Sequence, residues 1–330
     1  MKRIFAVLCA VIITAMTALT AHANATGLYV RVMEEVQGKF DEASDDIKNA
    51  FTKAGWKILS AHDSGRPDGC RYLARVFVVL PPNYADKMIS SSPYSWIAIP
   101  LRAALYENEK GKSISIVNPV TLNRFVAADT DMEAFSRQTL NDFAHVVQSS
   151  VKGKKVLIEH GPMWETDQTF GIGGGRVSDN VVNIYSARHK SDKLYANMIE
   201  GVRDVLKKSE KGWKIIYTLD MRDKGLYVLG ITKPEIEAMS TEITGRSRVT
   251  AANSCPGIDH ALAFPIEVVA NAVDKNRMTV QTLRVLFRMK LYFADTGELA
   301  FLTHLNKPGR IEDEIVFSAY PCYPPVCSDF

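Results

Sequence analysis

Gly55-Trp56-Lys57-Ile58-Leu59 returns later in the chain as Gly212-Trp213-Lys214-Ile215-Ile216. Each copy follows a helical pattern, with Ala43, Ile47, Ala50, Phe51 and Ala54 on one face of the first and Leu194, Met198, Val202, Val205 and Leu206 on one face of the second. Apolar residues spaced three and four apart share a helix face. Each helix then ends at a glycine, Gly55 or Gly212, because a residue without a side chain takes the left-handed cap at no steric cost. The Trp-Lys-Ile run beyond it alternates as a strand.

The parallel continues downstream. Val76-Phe77-Val78-Val79-Leu80 and then 81–88 match Leu226-Tyr227-Val228-Leu229 and then 234–239, each a strand entering a short helix. In the second copy Thr232-Lys233-Pro234-Glu235 reads as a capping box with proline in the first turn. Trp96-Ile97-Ala98-Ile99-Pro100-Leu101 and Leu262-Ala263-Phe264-Pro265-Ile266 share an apolar-Pro-apolar order, read as short strands broken by proline. Residues 105–112 and 291–298 both read as glycine-turn hairpins, while 268–282, with its Asp274-Lys275-Asn276-Arg277 turn, is either the true counterpart hairpin or an insertion. Val117-Asn118-Pro119 and Leu305-Asn306-Lys307-Pro308 close the two copies. Several matched blocks in one order make an internal duplication.

Between the copies, Thr130-Asp131-Met132-Glu133 is another capping box, opening a helix with Phe135, Leu140, Phe143, Val146 and Val147. A Lys152-Gly153-Lys154-Lys155 loop, a strand at Val156-Leu157-Ile158 and a polar, glycine-rich stretch over 166–175 follow. The expected organisation is a first repeat domain over 24–125, an ordered connector over 126–190, a second repeat domain over 191–312 and a Cys/Pro-rich tail over 313–330. Strands and helices in such runs with glycine turns give an α+β class.

Residues 1–23 read as a secretory signal peptide: basic Lys2 and Arg3, an apolar run over 4–18, and a small-x-small site at Ala21-His22-Ala23 before Asn24. Cleavage there implies a periplasmic or secreted protein. The apolar run is short for a bilayer span of about 20 residues, and no later stretch is long and apolar enough to be one. The 330 residues are 46% hydrophobic and 23% charged, an ordinary globular composition. A net charge of +3, falling to +1 without Lys2 and Arg3, is too small to argue for a nucleic-acid partner.

Of five cysteines, Cys9 leaves with the signal, and Cys70, Cys255, Cys322 and Cys327 permit two disulfides. Pro321-Cys322-Tyr323-Pro324-Pro325-Val326-Cys327 favours a tight bend, so a local Cys322–Cys327 bridge is the preferred pairing. The competing pairing staples the tail to the body through Cys70 or Cys255; metal-binding thiols come third.

Two local clusters carry chemistry. Cys255-Pro256-Gly257-Ile258-Asp259-His260 offers a thiol, a carboxylate and an imidazole within six positions, and His160-Gly161-Pro162-Met163 offers an imidazole and a thioether. The first set suits a soft metal or a thiolate activated by a base, and the second, His160 with Met163, suits copper. The bland reading is a turn at Pro-Gly in the first and a packed loop in the second, and it carries more weight. Gly171-Ile172-Gly173-Gly174-Gly175 is followed by strand-like sequence where a dinucleotide loop needs a helix, so it reads as a turn. His62, His145, His160, His189, His260 and His304 contain no His-x-x-x-His pair, and no catalytic set assembles in sequence.

The first copy, about 40–119, resembles the bacterial domain-of-unknown-function family 302. The resemblance rests on Gly55-Trp56, Pro82-Asn83-Tyr84-Ala85, Ile99-Pro100-Leu101, Tyr106-Glu107 with Gly111-Lys112, and Asn118-Pro119, and the second copy is a diverged version. It implies a compact domain with an antiparallel sheet packed on helices, TATA-binding-protein-like, and it brings no activity. Many members carry a cysteine just before the asparagine-proline that follows the second strand. Leu80-Pro81-Pro82-Asn83 stands there in this chain.

Two such domains are expected to pack as a pseudo-dimer with a cleft between them, a common place for ligands, or else simply to bury their own sheet faces. The expected function is a non-enzymatic binding or accessory protein, taking a small ligand or a protein partner, with no cofactor required. The alternative is a periplasmic redox or metal-handling protein using Cys255 with His260, or the His160–Met163 loop.

Overall fold

The computed structural model describes residues 25–188, 192–207, 211–274, 277–297, 303–304 and 306–320. The first unit runs β1 (Thr26–Glu34), α1 (Phe40–Lys53), β2 (Lys57–Asp63), β3 (Ala74–Leu80), α2 (Tyr84–Ser91), β4 (Leu101–Asn108), β5 (Gly111–Val117), α3 (Pro119–Val126), α4 (Glu133–Ser150) and β6 (Lys154–Trp164). The second runs β7 (Val181–Ala187), α5 (Asp192–Lys207), β8 (Lys214–Met221), β9 (Leu226–Thr232), α6 (Pro234–Gly245), β10 (Ile266–Asp274), β11 (Arg277–Leu283), α7 (Val285–Phe293) and α8 (Asn306–Ala319). Both units are antiparallel sheets covered by helices, an α+β class.

The strand order exposes the duplication. The first sheet is β2-β3-β4-β5-β1-β6, and the second, read from its β8 end, is β8-β9-β10-β11-β7. Apart from β6 the two are the same sheet, each unit running strand, helix, two strands, helix, two strands, two helices. The stretch 126–190 therefore contributes α4 and β6 to the first unit and β7 to the second.

The repeated Gly-Trp marks one junction in both copies. Gly55 and Gly212 sit at φ +75° and +81°, the left-handed region that ends a helix. Trp56 then buries against Phe51 at 5.5 Å and Phe143 at 5.2 Å, locking α1 and α4 together over the sheet.

Three local expectations are corrected. The stretch 291–298 is not a hairpin: α7 ends there and a 3-10 turn, Ala294–Thr296, follows. The counterpart of the β4–β5 hairpin is β10–β11. The apolar-Pro-apolar segments are not strands broken by proline but 3-10 turns, Ser95–Ile97 and Pro256–Ala263, whose proline sits just before β4 and β10. A proline lacks the N–H a ladder needs, so pairing starts only after it. At α4 the capping box does not form: the N-cap position is Met132, and the Glu133 N–H is taken by Asp131 at 3.1 Å rather than by Thr130. The signal segment 1–23 with Ala21 and Ala23, Asn24 beyond it, and the Cys322–Cys327 pair lie outside the described residues.

The units meet along a pseudo-two-fold seam. β4 packs on the second copy's 3-10 turn, β10 packs on the first copy's, and β2 lies against β8. That reciprocity is the signature of an isologous interface, here within one chain. On the axis, the residues two beyond the matched prolines face each other: Arg102 Nη1 lies 3.7 Å from Glu267 Oε1, both fully buried. Arg288 also holds Glu267, at 2.7 Å, and the Tyr292 ring lies under both guanidiniums, at 5.0 and 4.8 Å.

Candidate functional site at the seam

The two sequence clusters, about a hundred residues apart, converge on one tyrosine. His160 comes from β6 and His260 from the second copy's 3-10 turn, and their rings lie 5.5 and 5.3 Å from that of Tyr29 on β1. Gly161, at φ +74°, forms a bulge in β6 where a side chain would strike the Tyr29 ring. The bulge turns Met163 outward while His160 stays inside.

The two imidazoles sit in opposite electrostatic states. Burial holds His160 down at about 4, neutral at pH 7, with Nε2 at 2.9 Å from Ser115 Oγ. Burial would lower His260 too, but the carboxylates of Asp259 and Asp295 outweigh it and raise it to about 9. As an imidazolium it donates from Nδ1 to Asp259 Oδ1 at 2.7 Å and from Nε2 to Asp295 Oδ2 at 3.0 Å. Burial works to raise Asp259, yet His260 and Arg248 keep it well below the usual carboxylate range. Arg248 grips it with two N–H groups, at 2.6 and 2.9 Å. The outcome is a charge-balanced chain, Arg248–Asp259–His260–Asp295, with partly exposed ends and a dry middle.

Cys255 does not join that chain. It is bonded to Cys70 across the seam, so the expected thiolate partnered by His260 is absent and His260 has carboxylate partners instead. The same bond leaves neither Cys70 nor Cys255 to staple the tail. Among the described residues, no group of three or more His, Cys, Asp or Glu is placed to hold a metal ion. Met163 is 52% exposed and lines a pocket with Asp295.

Beside the disulfide lies an opening between the repeats, a cleft of about 800 Å³. One wall is the β2–β3 loop with Arg66, Pro67 and Asp68; the other is α6 with Glu235 and Glu242, followed by Arg246. The walls are tied together. The Glu237 carboxylate accepts the Gly65 N–H, the Tyr72 hydroxyl donates to the Ala252 carbonyl at 2.8 Å, and the Ser254 hydroxyl donates to the Gly69 carbonyl at 3.4 Å. A smaller cleft of about 270 Å³ occupies the pseudo-symmetric place, lined by the approach to α2 and by Gly55 and Lys57 of the first copy, with Met221 at the end of β8 from the second. The geometry suits holding a ligand: exposed carboxylates and guanidiniums rim an opening whose depth is fixed by covalent and hydrogen-bonded ties.

Sequence reasoning reached Asp259, His260, His160 and Met163 but missed Asp295, Tyr29 and Arg248. Asp295 was hidden by reading 291–298 as a hairpin. Arg102 and Glu267 did leave a signal, as the charged residues that follow the matched apolar-Pro-apolar blocks.

No curated protein matches the chain. One solved structure, an uncharacterised conserved DUF302 protein from Bacillus stearothermophilus, aligns at 12% identity and a TM-score of 0.33, over 37% of this chain and 98% of that one. Residues 32–149, which run from β1 through almost all of α4, match the model of domain of unknown function DUF302. The resemblance to the DUF302 family carried by the motifs of the first repeat therefore extends over this whole stretch, α4 included.

Proposed function

We propose that the chain is an exported binding or accessory protein that performs no chemistry itself and holds its ligand in the larger cleft between the repeats. The observation that carries this is the cleft's construction: each copy supplies one wall, and the Cys70–Cys255 bond fixes the gap. A disulfide persists in an oxidising compartment, which agrees with export after Ala23. Among the described residues, no helix is long and apolar enough to cross a membrane.

Native mass spectrometry of the protein purified from its own cell envelope tests the reading. The expected mass begins at Asn24 and includes a bound species that Glu242→Arg loses while its melting temperature stays unchanged. An uncleaved, cytoplasmic chain would overturn export. A turnover abolished by that same folded variant would replace the binding role with catalysis.

A further inference from the structure

The first copy grips the end of α7. The Tyr29 hydroxyl of β1 donates to the Tyr292 carbonyl at 3.0 Å, and the Trp164 indole N–H of β6 donates to the Leu291 carbonyl at 3.2 Å. The last carbonyls of a helix have no partner within it, so here the other copy supplies one. The Ala294–Thr296 turn follows at once, and its Asp295 folds back onto His260.

The buried His260 ring has a carboxylate at each nitrogen, Asp259 Oδ1 at 2.7 Å from Nδ1 and Asp295 Oδ2 at 3.0 Å from Nε2. Ionised carboxylates only accept, so each nitrogen carries a proton and the ring is a cation. Arg248 Nη2 also lies 3.3 Å from Nδ1, but the nearer Asp259 oxygen takes that proton. Once one proton leaves, the ring turns a lone pair toward a carboxylate. Asp259 is fixed by two N–H groups of Arg248, whereas the Asp295 side chain is 30% exposed and has water to turn to. The loss therefore falls on Asp295.

We infer that His260 is a pH-sensitive clamp: protonated, it holds the turn after α7 and with it the helix end that the first copy grips, and deprotonated on the alkaline side it lets that end go. The other groups around the ring keep their charge in this range. Burial pushes the Tyr29 hydroxyl on β1 and the Tyr106 hydroxyl on β4 above their ordinary value, and His160 on β6 is already neutral. Arg248 is an arginine and does not deprotonate. Phe293 closes the remaining side, its ring 6.1 Å away. The folded His260 titrates at about 9 against an ordinary 6.5, so the stability it supplies is complete below pH 6.5 and is lost as pH rises through about 9.

Urea titrations of the full chain at steps across that pH window test the clamp, together with heteronuclear NMR of the folded protein. Inside the window the folding constant falls about tenfold per pH unit, the slope of a single proton. The His260 ring signals titrate above the ordinary imidazole value, and the Trp164 indole N–H signal moves with the same midpoint. Asp295→Asn leaves the imidazolium one carboxylate, so the fall ends at a lower pH; its partly exposed position keeps the fold intact. A folding constant that stays flat from pH 6.5 to 9, a Trp164 signal that does not move while His260 titrates, or an unaltered pH dependence in the folded Asp295→Asn variant would each overturn the inference.

Discussion

The two clefts that the copies form against each other occupy equivalent places, yet one holds about 800 Å³ and the other about 270 Å³. Each arises where the loop between two strands of one copy reaches the strand-to-helix turn of its neighbour. In the larger, that loop is the long 64–73 segment facing α6. Beside the smaller it is the short Arg222–Lys224 turn that follows Met221, and Lys224 closes on Asp86 of α2 as an ion pair. The sheets are the same, so the difference lies in loop length and in what the loop carries. Duplication lays out a symmetric seam, and one lengthened connection makes it unequal.

The shared frame of both clefts is the first thing to break. Glu267 is the buried counter-charge of Arg102 and Arg288, at 3.7 and 2.7 Å. Removing one member of a buried ionic group costs about 3–5 kcal/mol, because the remaining charges stay desolvated and unpaired. Glu267→Gln should therefore lower unfolding free energy by about that much in urea titration and loosen both clefts together. A loss under about 1 kcal/mol would mean that the axis does not hold the copies together.

A change on one side sharpens the comparison. The Cys70–Cys255 bond spans 185 positions and belongs to the larger cleft only. The double variant Cys70→Ser/Cys255→Ser should lose about 2–4 kcal/mol, read by the same titration. Hydrogen exchange should rise in 64–73 and 246–255 while the β8–β9 turn keeps its protection. Equal loosening of both clefts would contradict an independent clasp. The smallest effect belongs to the smaller cleft. Lys224→Ala removes an exposed ion pair and should shift stability by less than about 1 kcal/mol in a thermal melt.

The parts of this fold that repeat were legible as sequence. Gly55-Trp56 and Gly212-Trp213 mark the same helix-to-strand junction because a left-handed cap and a buried indole are local requirements. What stayed hidden depended on distance. Nothing near Tyr29 in sequence says that His160 and His260 flank its ring, since the first contact exists only once β6 pairs with β1 and the second only once the copies dock. Asp295 was missed for another reason: Tyr-Phe-Ala-Asp-Thr-Gly has the composition of a strand and turn, and packing of α7 overrides that propensity. The same limit applied to Cys255. Its neighbours Asp259 and His260 are close along the chain, but its bonded partner is Cys70 in the other copy.

The opposed charges on the axis also bear on how such a chain diverges. A residue on a two-fold axis of two identical copies meets itself, so Arg102 would face another arginine and Glu267 another glutamate. Fusion into one chain releases the position from that self-match, and here it has split into Arg102 and Glu267. The split works as a ratchet. Neither half can return to pairing with its own kind without burying like charges, so the two repeats are now committed to inheriting one another.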